Sequence, residues 1–493
     1  MRNVRRLRLS RLPPAQSEAL RVVSRCLGRE AAYLVGGAVR DALLGLTFDD
    51  LDLAVPSGAA ALARRLAETD GGTYVELDAE RGSARALLRV AGTTVQVDVT
   101  NFRGPTLPDD LADRDFTVNA LAVPVRGLAR GAATVVDPRG GLADLRRRRL
   151  RLATPDAIVR DPVRALRGIR LEALLRFRLD AGAARAIRRD AAALGRVAAE
   201  RVGQEIVAIL RLAGSASVVR RAEGLGVLAA VIPETVAMRG VTQPAPHRFD
   251  VLEHSLRALT AADRLVARIG ALGPWGDLIA THLAEPLGGG ITRREALKLA
   301  ALLHDVAKPE TRAVIDGRIR FFGHDGLGAE RVRTVGERLR LPASATRIVE
   351  TLIRHHLRPM HLEQAGRVTR RARYRFFRDL GDESRDLLLL TLADGAAVRG
   401  LSPFAVWRRS GLVRELMAGW QEDRQARAVP SLLRGEDVMG AFGLAPGPAV
   451  GHLLARAREA QDTGLVATRE QALAHLRIRL GRRPLPPGKG SVI

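Results

Sequence analysis

The chain has 493 residues, with 79 Lys or Arg against 54 Asp or Glu, which gives a formal net charge of +25 at pH 7. Because 46% of its residues are hydrophobic, the composition excludes a wholly disordered chain and allows several hydrophobic cores, roughly one per 150 residues. The lysines are only Lys298, Lys308 and Lys489, so the charge is almost all guanidinium, which favours phosphate partners such as nucleic acid, although a codon bias toward arginine would also produce it.

Short strand patterns alternate with helical patterns over residues 1–150, and this part is predicted to be a mixed α/β head. Its strands are predicted over 32–35, 51–55, 86–90, 94–99 and 134–136, each bounded by Gly, Pro or Asp. Helices are predicted over 38–44 and 58–68. From Asp156 onward the remainder is predicted to be mainly α-helical, because apolar residues recur at helical spacing over 163–175, 201–212, 251–265 and 297–306.

A glycine pair, Gly36 and Gly37, follows the first predicted strand, and a helix that carries Arg40 begins at once. Backbone N–H groups at a helix N-terminus attract anions, glycine permits close approach of a phosphate, and an arginine adds a charged fork. The pattern therefore predicts a phosphate-binding turn. An ordinary strand-to-helix turn is the alternative.

Two aspartates, Asp50 and Asp52, are two residues apart on the next predicted strand, so their carboxylates project from the same face. Like charges this close need a cation, and a pair of Mg²⁺ ions shared by carboxylates and nucleotide phosphates is the usual arrangement in polymerases. Asp98, on the predicted strand 94–99, is a candidate third carboxylate. A simple turn residue is the alternative for Asp98.

Four charged residues beyond the head, Asp161, Arg164, Arg167 and Arg170, follow one another at intervals of three, which keeps neighbours near one face of a helix. An acceptor and a donor at i and i+3 suit the edge of a nucleobase, and the following arginines suit a triphosphate. The alternative is a helix capped by Asp161, with its arginines in solvent.

Histidines and aspartates with the character of metal ligands are spread over the helical body. They are His254, the adjacent His304 and Asp305, and Asp394. Imidazole and carboxylate suit a divalent transition metal or Mg²⁺, and the wide spacing requires a packed helical domain. Candidates for a second metal position are His324, His355 and His356. The order reproduces the His, His-Asp, Asp signature of the HD superfamily, and buried polar residues or an inactive HD fold are the alternatives.

The motifs together resemble the class II tRNA nucleotidyltransferase and bacterial poly(A) polymerase family, whose head is similar to that of DNA polymerase β. The resemblance rests on five motifs in the family's order, which lie within 36–52, 114–120, 137–145, 161–170 and 199–205. It implies nucleotidyl transfer with Mg²⁺ at Asp50 and Asp52. It further implies a ribose site made by Arg114, Asp115 and Asn119. It also implies a site for the base and the triphosphate, made by Asp161, Arg164, Arg167 and Arg170.

Two positions depart from the family pattern. Arg160 stands where the family has an acidic residue just before the aspartate of its fourth motif, and Asp113 stands where it has an arginine before Arg114. The first departure removes an acceptor beside the base-reading residues, and therefore bears on the choice between CTP and ATP. The metal-binding aspartates are unaffected.

The predicted fold class is α+β, with a polymerase-β-like nucleotidyltransferase head followed by a mainly α-helical body that includes an HD domain. The predicted domains are the head at 1–150, a helical neck for nucleotide and RNA at 151–240, the HD domain at 241–425, a C-terminal helical RNA-binding segment at 426–482 and a disordered tail at 483–493.

The expected activity is template-independent addition of nucleotides from CTP and ATP to the 3′ end of RNA, with the CCA end of tRNA as the expected product. Poly(A) addition, or addition of CC or A alone, is the nearest alternative. Two alternatives of other classes are a metal-dependent phosphohydrolase whose head only positions RNA, and an RNA-binding module without catalysis. By resemblance, the HD domain of some members hydrolyses phosphate esters at RNA ends.

Location and partners are predicted from what the sequence lacks. A single cysteine, Cys26, excludes an internal disulfide and a thiolate zinc cluster, as is typical of a reducing compartment. No apolar run approaches the ~18 residues of a membrane-spanning helix, and the basic start is not followed by a signal-peptide core. We therefore expect a cytoplasmic protein with no membrane partner. The sequence leaves the oligomeric state and the HD metal open.

Overall fold

A computed structural model describes residues 6–69, 71–90, 92–366 and 368–480. The chain forms two compact units, Met1–Leu212 with Ser217–Pro233, and Ala213–Ala216 with Glu234–Ile493. The predicted tail at 483–493 lies outside the described residues. The finer predicted domain boundaries within each unit stay predictions.

The described residues form short strands and many helices. The strands are β1 (Arg6–Arg8), β2 (Tyr33–Val35), β3 (Asp50–Val55), β4 (Thr73–Asp78), β5 (Ser83–Val90), β6 (Thr93–Asn101), β7 (Ala122–Pro124), β8 (Ala132–Thr134), β9 (Arg149–Leu150), β10 (Arg178–Leu179), β11 (Pro286–Gly288), β12 (Ile291–Thr292), β13 (Ala313–Ile315) and β14 (Arg318–Arg320).

The α-helices follow one another along the chain from Pro14 to Leu480. They are α1 (Pro14–Cys26), α2 (Gly37–Leu44), α3 (Ala59–Thr69), α4 (Leu107–Ala112), α5 (Val125–Ala129), α6 (Gly141–Arg146), α7 (Ala157–Arg160), α8 (Arg164–Leu174), α9 (Ala181–Asp190), α10 (Ala199–Arg211), α11 (Ser215–Gly224), α12 (Val227–Val231), α13 (Glu234–Ala237), α14 (Val251–Ala267), α15 (Gly276–Leu283), α16 (Arg293–Leu303), α17 (Lys308–Thr311), α18 (His324–Arg338), α19 (Ala343–His355), α20 (Arg358–Gln364), α21 (Arg370–Leu380), α22 (Glu383–Arg399), α23 (Pro403–Arg409), α24 (Gly411–Ala428), α25 (Gly435–Phe442), α26 (Pro448–Asp462) and α27 (Arg469–Leu480). Short 3-10 helices lie at Leu9–Arg11, Thr117–Asn119, Ala191–Arg196 and Ile269–Trp275.

The first unit is built on a six-stranded sheet in the order β4-β5-β6-β3-β2-β7. Strands β3 and β6 pair in parallel, and the other neighbours pair antiparallel. Leu51 and Leu53 of β3 are buried in the core, where α3 packs against β5 and β6. Because successive side chains on a strand point to opposite faces, Asp50 and Asp52 lie on the face away from these leucines.

The predicted strands are confirmed at β2, β3, β5 and β6. The one predicted over 134–136 is displaced, because β8 ends at Thr134 and Val136 makes only an isolated bridge to Ala122. Asp137 follows immediately and accepts hydrogen bonds from backbone N–H groups of the turn into α6. Strand β1 was not predicted, since its one buried residue, Leu7, leaves no alternation long enough to recognise.

Helices α14, α16, α19 and α22 form the centre of the second unit, with α14 packed on α16 and α22, and α16 packed on α19. The leucines at 387–390 in α22 are all buried. The helix predicted over 297–306 ends at Leu303, because His304 is its C-cap and the chain turns there. His304 and Asp305 therefore lie at the end of a helix rather than within it.

Among the described residues no single helix has the length and apolar character needed to cross a membrane. Helices Glu383–Arg399 and Pro403–Arg409 meet the criterion of length and composition only when joined, and they are bent by 106° relative to each other.

Candidate active site and metal centre

A glycine turn joins β2 to α2 in the first unit. Gly36 has φ 70° and ψ −136°, a backbone conformation that is sterically unfavourable for any residue with a side chain. A Cβ placed there would lie 3.0 Å from Arg114 Nη1 and 3.5 Å from Asp52 Oδ2. The turn therefore brings Gly36 close to two of the predicted site residues, and α2 begins directly after it at Gly37.

The carboxylates predicted from the strand pattern are brought together by the sheet. Asp52 on β3 is the register partner of Asp98 on β6, and Asp50 is paired with Gln96. Asp98 is held by Arg85, whose Nε and Nη2 donate to its two oxygens at 2.7 and 3.0 Å. Asp50, Asp52 and Asp98 thus occupy one face of neighbouring strands, as predicted, and Arg85 neutralises the third of them.

The electrostatics of this carboxylate group favour a bound cation. Burial raises the pKa of Asp50, and repulsion from Asp98 raises it further. Burial likewise raises the pKa of Asp52 against the lowering effect of Arg114, with Asp98 and Asp50 adding to the rise. Carboxylates whose ionised form is disfavoured by like charges are suited to Mg²⁺, which supplies the missing positive charge and prefers oxygen ligands.

Two of the predicted ribose residues, Asp115 and Asn119, form one hydrogen-bonded network with Arg40. Arg40 donates to both carboxylate oxygens of Asp41 and, at 2.6 Å, to Oδ1 of Asn119. Asn119 donates in turn to Asp115 at 2.9 Å. Arg114 instead donates to the buried Asp110 at 3.1 Å. Arg40 is buried, and its guanidinium therefore positions Asn119 rather than standing open as a fork for phosphate.

Asp115 is the buried centre of that network. Burial alone would raise the pKa of Asp115, but Arg167, the Asn119 amide and the Phe116 N–H together lower it below its ordinary value. The Phe116 N–H donates at 2.7 Å, and Arg167 Nη1 lies at 3.4 Å. Asp115 is therefore ionised at neutral pH and joins the predicted ribose residues to the arginines of α8.

The predicted base-reading pair lies where α7 ends and α8 begins. Asp161 accepts from Arg201 Nη2 at 2.7 Å and lies 3.7 Å from Arg164 Nε. Arg164 is buried and donates to the backbone carbonyls of Asp113 and Ala157, at 2.6 and 3.3 Å. Asp161 as acceptor and Arg164 as donor are the pair predicted to bind the edge of the base, and we call this pair the base template. Other groups of the protein thus hold both of its members in place.

The next two arginines of α8 share one carboxylate. Arg167 and Arg170 both donate to Glu205 of α10, with Nε distances of 3.2 and 2.7 Å. Glu205 belongs to the last of the five motifs, and its burial between the two arginines explains why an acidic residue is needed there. Arg167 and Arg170 therefore present a preassembled cationic edge.

A cavity of about 1110 Å³ in the first unit connects these groups. Its lining includes Gly36, Gly37, Arg40, Asp52, Arg114, Asp115, Asn119, Asp161, Arg164, Arg167 and Arg170. Asp50 and Asp98 lie on the adjoining strand face and are not part of the lining. Arg85, Arg103 and Asp110 were not predicted. Arg85 meets Asp98 only through the register of β5 and β6, whereas the spacing of four residues between Asp110 and Arg114 is a local signal that could have indicated their ion pair.

A second constellation lies in the second unit. His254 Nε2 is 3.2 Å from His304 Nε2, 3.5 Å from Asp305 Oδ2 and 3.1 Å from Asp394 Oδ1. Ligand atoms of one ion with bonds of about 2.1 Å lie roughly 3 Å apart. The predicted set of His254, His304, Asp305 and Asp394 is therefore brought together at distances that suit a single metal ion.

A second group of ligands adjoins the first. His324 Nε2 is 3.2 Å from His356 Nε2, and these nitrogens lie 3.5 and 3.7 Å from Asp305 Oδ1. Asp305 thus turns one oxygen to each group, in the manner of a carboxylate that bridges two ions. Of the predicted pair His355 and His356, it is His356 that joins the group.

Hydrogen bonds fix the tautomers that metal binding requires. The Nδ1 atoms of His304, His324 and His356 lie 3.1, 2.6 and 2.7 Å from backbone carbonyls. Because a carbonyl can only accept, each Nδ1 carries the proton and each Nε2 lone pair faces the centre. Burial, with repulsion from His304, lowers the pKa of His356 to about 4, so this imidazole is neutral as a ligand must be.

Lys308 and a cavity border the histidine centre. Lys308 Nζ donates to Asp305 Oδ2 and to Gln243 Oε1, both at 2.7 Å. The cavity has a volume of about 720 Å³ and is lined by Asp305, His324, His356 and Asp394 together with Lys308. A ligand in this cavity would have direct access to both metal positions.

Three regions of the chain match described protein families. Residues 32–151 match the poly A polymerase head domain, residues 176–238 match a probable RNA and SrmB-binding site of polymerase A, and residues 251–396 match the HD domain. The predicted order of a polymerase head followed by a helical body with an HD domain is confirmed.

The chain also resembles curated proteins over most of its length. It is 38% identical over 452 residues to the A-adding tRNA nucleotidyltransferase of Deinococcus radiodurans, covering 90% of this chain and 94% of that one. It is 36% identical over 454 residues to the CC-adding tRNA nucleotidyltransferase of Thermus thermophilus, covering 90% and 93%.

Solved structures share the fold. A CCA-adding enzyme in complex with ATP matches with a TM-score of 0.65 and 19% identity, covering 96% of this chain and 97% of that one. A Thermotoga maritima CCA-adding enzyme complexed with tRNA matches with a TM-score of 0.59 and 20% identity, covering 95% and 97%. At these identities the likeness establishes the α+β architecture.

Proposed function

Because the chain belongs to the tRNA nucleotidyltransferase family with a poly A polymerase head domain and an HD domain, we propose that it extends the CCA end of tRNA. It adds nucleotides from CTP, ATP or both to the 3′ end without a template strand. The observation that carries the proposal is the single cavity that joins Asp52 and the glycine turn to Asp161 and Arg164.

Each group of residues has a role in this reaction. Asp50 and Asp52, with Asp98 as a third carboxylate, hold Mg²⁺, which neutralises the phosphates and activates the RNA 3′-hydroxyl when bound. The N–H groups at the start of α2, from Gly37 onward, seat the triphosphate, since the Gly36 N–H donates to the Leu121 carbonyl at 3.4 Å. Arg114, Asp115 and Asn119 position the ribose, and Arg40 orients Asn119.

Base choice is made by the protein. Asp161 accepts from the amino group that cytosine and adenine both carry, and Arg164 donates to the ring nitrogen beside it. Arg167 and Arg170, clamped by Glu205, supply positive charge for the triphosphate. Uracil and guanine present the opposite pattern of donor and acceptor and are rejected by the same two groups.

The experiment is product analysis on truncated tRNA. The protein is incubated with Mg²⁺, one triphosphate at a time, and tRNA that ends before CCA, after the first C or after CC. Addition of C, C and then A establishes the full activity. Addition of C alone or of A alone defines the CC-adding or A-adding type, and an unlimited run of A defines a poly(A) polymerase. No incorporation with any triphosphate contradicts the proposal.

We also propose that the HD centre binds two divalent metal ions and hydrolyses phosphate esters at RNA ends. His254, His304, Asp305 and Asp394 hold one ion, and Asp305, His324 and His356 hold the other. Lys308 sits beside the bridging Asp305, where it also meets a phosphate entering the cavity. Asp305→Asn is expected to abolish phosphohydrolysis and retain nucleotide addition. The double variant Asp50→Asn, Asp52→Asn is expected to abolish nucleotide addition and retain phosphohydrolysis. Loss of both activities in either variant contradicts the assignment of separate sites.

A further inference from the structure

The two positions that depart from the family pattern lie beside each other. Arg160 Nη1 is 3.4 Å from Asp113 Oδ1, although the two residues are 47 positions apart in the chain. An acidic residue at 160 and an arginine at 113 would form the same pair with its charges exchanged. The two departures are therefore neighbours in the fold.

Asp113 also holds the donor of the base template. It follows α4 as the C-cap, where a helix leaves its last carbonyls without an intrahelical partner. Its carbonyl accepts from Arg164 Nη2 at 2.6 Å, and its carboxylate Oδ2 lies 3.8 Å from the same nitrogen. Arg103 Nη1 approaches that carboxylate at 3.4 Å. Asp113 thus sits among three arginines, of which Arg164 is the buried one.

Arg160 is the chain neighbour of the acceptor Asp161. It is the last residue of α7, it donates to Asp156 at 2.7 Å, and Asp161 comes directly after it. The ion pair with Asp113 therefore links the segment that carries Asp161 to the segment that holds Arg164.

We propose that Asp113 and Arg160 form a specificity-determining pair that sets the position of Asp161 relative to Arg164, and so the preference between cytosine and adenine. Both bases carry an amino group beside a ring-nitrogen acceptor, but a purine places this edge farther from its sugar than a pyrimidine does. The choice between cytosine and adenine then depends on where the protein holds Asp161 and Arg164. The inference rests on the proposed function, because it deepens the role of the same cavity.

The test is a charge-reversal cycle. Asp113→Arg, Arg160→Glu and the double variant are compared with the wild-type chain by kcat/KM for CTP and for ATP on matched truncated tRNA. Each single reversal brings like charges together and is expected to change the CTP to ATP ratio about tenfold. The double variant restores opposite charges between positions 113 and 160 but leaves an arginine at 113 facing Arg103 and Arg164, so it is expected to recover part of the ratio. Asp113→Asn removes the charge and keeps the carbonyl that holds Arg164, so a smaller change in the same direction is expected.

The control is an exposed ion pair of the same unit outside the cavity, Glu30 with Arg65, whose atoms lie 2.5 Å apart. Glu30→Arg and Arg65→Glu are expected to leave the ratio unchanged. Thermal unfolding of every variant identifies any that fail to fold, and Asp113→Asn then decides the outcome. Ratios unchanged in the folded single variants, or a double variant no nearer to wild type than the singles, overturn the proposal. A wild-type chain that incorporates neither nucleotide overturns the proposed function instead.

Discussion

Asp52 and Asp98 are register partners on the parallel strands β3 and β6, yet only Asp98 has a protein cation of its own. Arg85 occupies both oxygens of Asp98, so a Mg²⁺ ion that uses Asp98 must compete with this guanidinium. We therefore expect Asp98→Asn to raise the Mg²⁺ concentration at half-maximal nucleotide addition about tenfold. Arg85→Gln is expected to lower it, since the competitor is weakened. The measurement is a Mg²⁺ titration of addition to truncated tRNA.

Asp52→Asn is the reference variant for that titration. It is expected to reduce addition by at least about 100-fold at any Mg²⁺ concentration, because it removes a direct ligand. If Arg85→Gln and Asp98→Asn both leave the titration midpoint unchanged, Asp98 is not a metal ligand and Arg85 serves only to hold the sheet together.

Gly36→Ala separates backbone strain from crowding of the site. Alanine at φ 70° and ψ −136° costs about 1–3 kcal/mol of stability, and its Cβ would lie 3.0 Å from Arg114 Nη1. The matched control is Gly273→Ala, with φ 69° and ψ −133° and nothing within 4 Å of the added carbon. Both variants are expected to lose similar thermal stability, whereas only Gly36→Ala loses most of its nucleotide addition. Equal activity in the two variants would contradict a phosphate-binding role for the turn.

The carboxylates of the head could be predicted from the sequence because their signal is local. Asp50 and Asp52 are two residues apart on a strand, and that spacing alone places them on one face. Asp98 needed the additional expectation that its strand lies nearby. Arg85 could not be predicted, since its relation to Asp98 depends on the register between β5 and β6, which no spacing within one strand reveals.

The HD ligands and their division into two metal positions could be predicted from residue type and from the HD signature, whereas the contacts between them could not. His254, His304 and Asp394 come from three helices or helix ends, and only packing of α14, α16 and α22 brings them together. That Asp305 divides its oxygens between two groups depends on side-chain orientation. The same holds for Arg160 and Asp113, which were recognised as separate departures and are joined only by the fold.

Metal content tests the two-ion centre. In a chain with Asp50→Asn and Asp52→Asn, which removes the head site, we expect two Mn²⁺ ions per molecule after dialysis. His324→Ala with His356→Ala is expected to leave one ion, because the second group then keeps only Asp305. His355→Ala is the control, since His355 is outside both groups, and is expected to retain two. Atomic emission spectrometry gives the count, and two ions in the His324→Ala, His356→Ala chain would rule out the second position.

Binding of tRNA is expected to depend steeply on salt. The net charge of +25 and the arginine-rich surface favour contacts with phosphates, and each contact releases counterions. Affinity should fall roughly 10³-fold between about 50 and 200 mM KCl, as for six or more phosphate contacts. Arg456→Gln, at an exposed position of α26, should reduce the slope by about one unit. Fluorescence anisotropy at several salt concentrations measures the affinity and its slope against log salt concentration. A slope near zero would contradict recognition through the phosphate backbone of the tRNA.

Asp115 links stability to pH in a direction that the structure determines. Because its folded-state pKa is lowered, the ionised Asp115 stabilises the fold above the unfolded-state pKa of about 3.9. This contribution is lost as the pH falls through the lower, folded-state value. Asp115→Asn removes the charge that faces Arg167, and we expect it to lower the free energy of unfolding by about 1–3 kcal/mol at pH 7.

The difference between wild type and Asp115→Asn is expected to narrow steadily as the pH is lowered from about 4. Denaturant unfolding at a series of pH values measures it. Asp190→Asn is the control, because Asp190 pairs with the exposed Arg189 on the surface of α9 and contributes about 1 kcal/mol at most. The difference in free energy of unfolding between wild type and Asp115→Asn could instead stay constant down to the lowest pH at which the chain folds. That result would mean that the network requires the hydrogen bonds from Asn119 and Phe116 and not the charge.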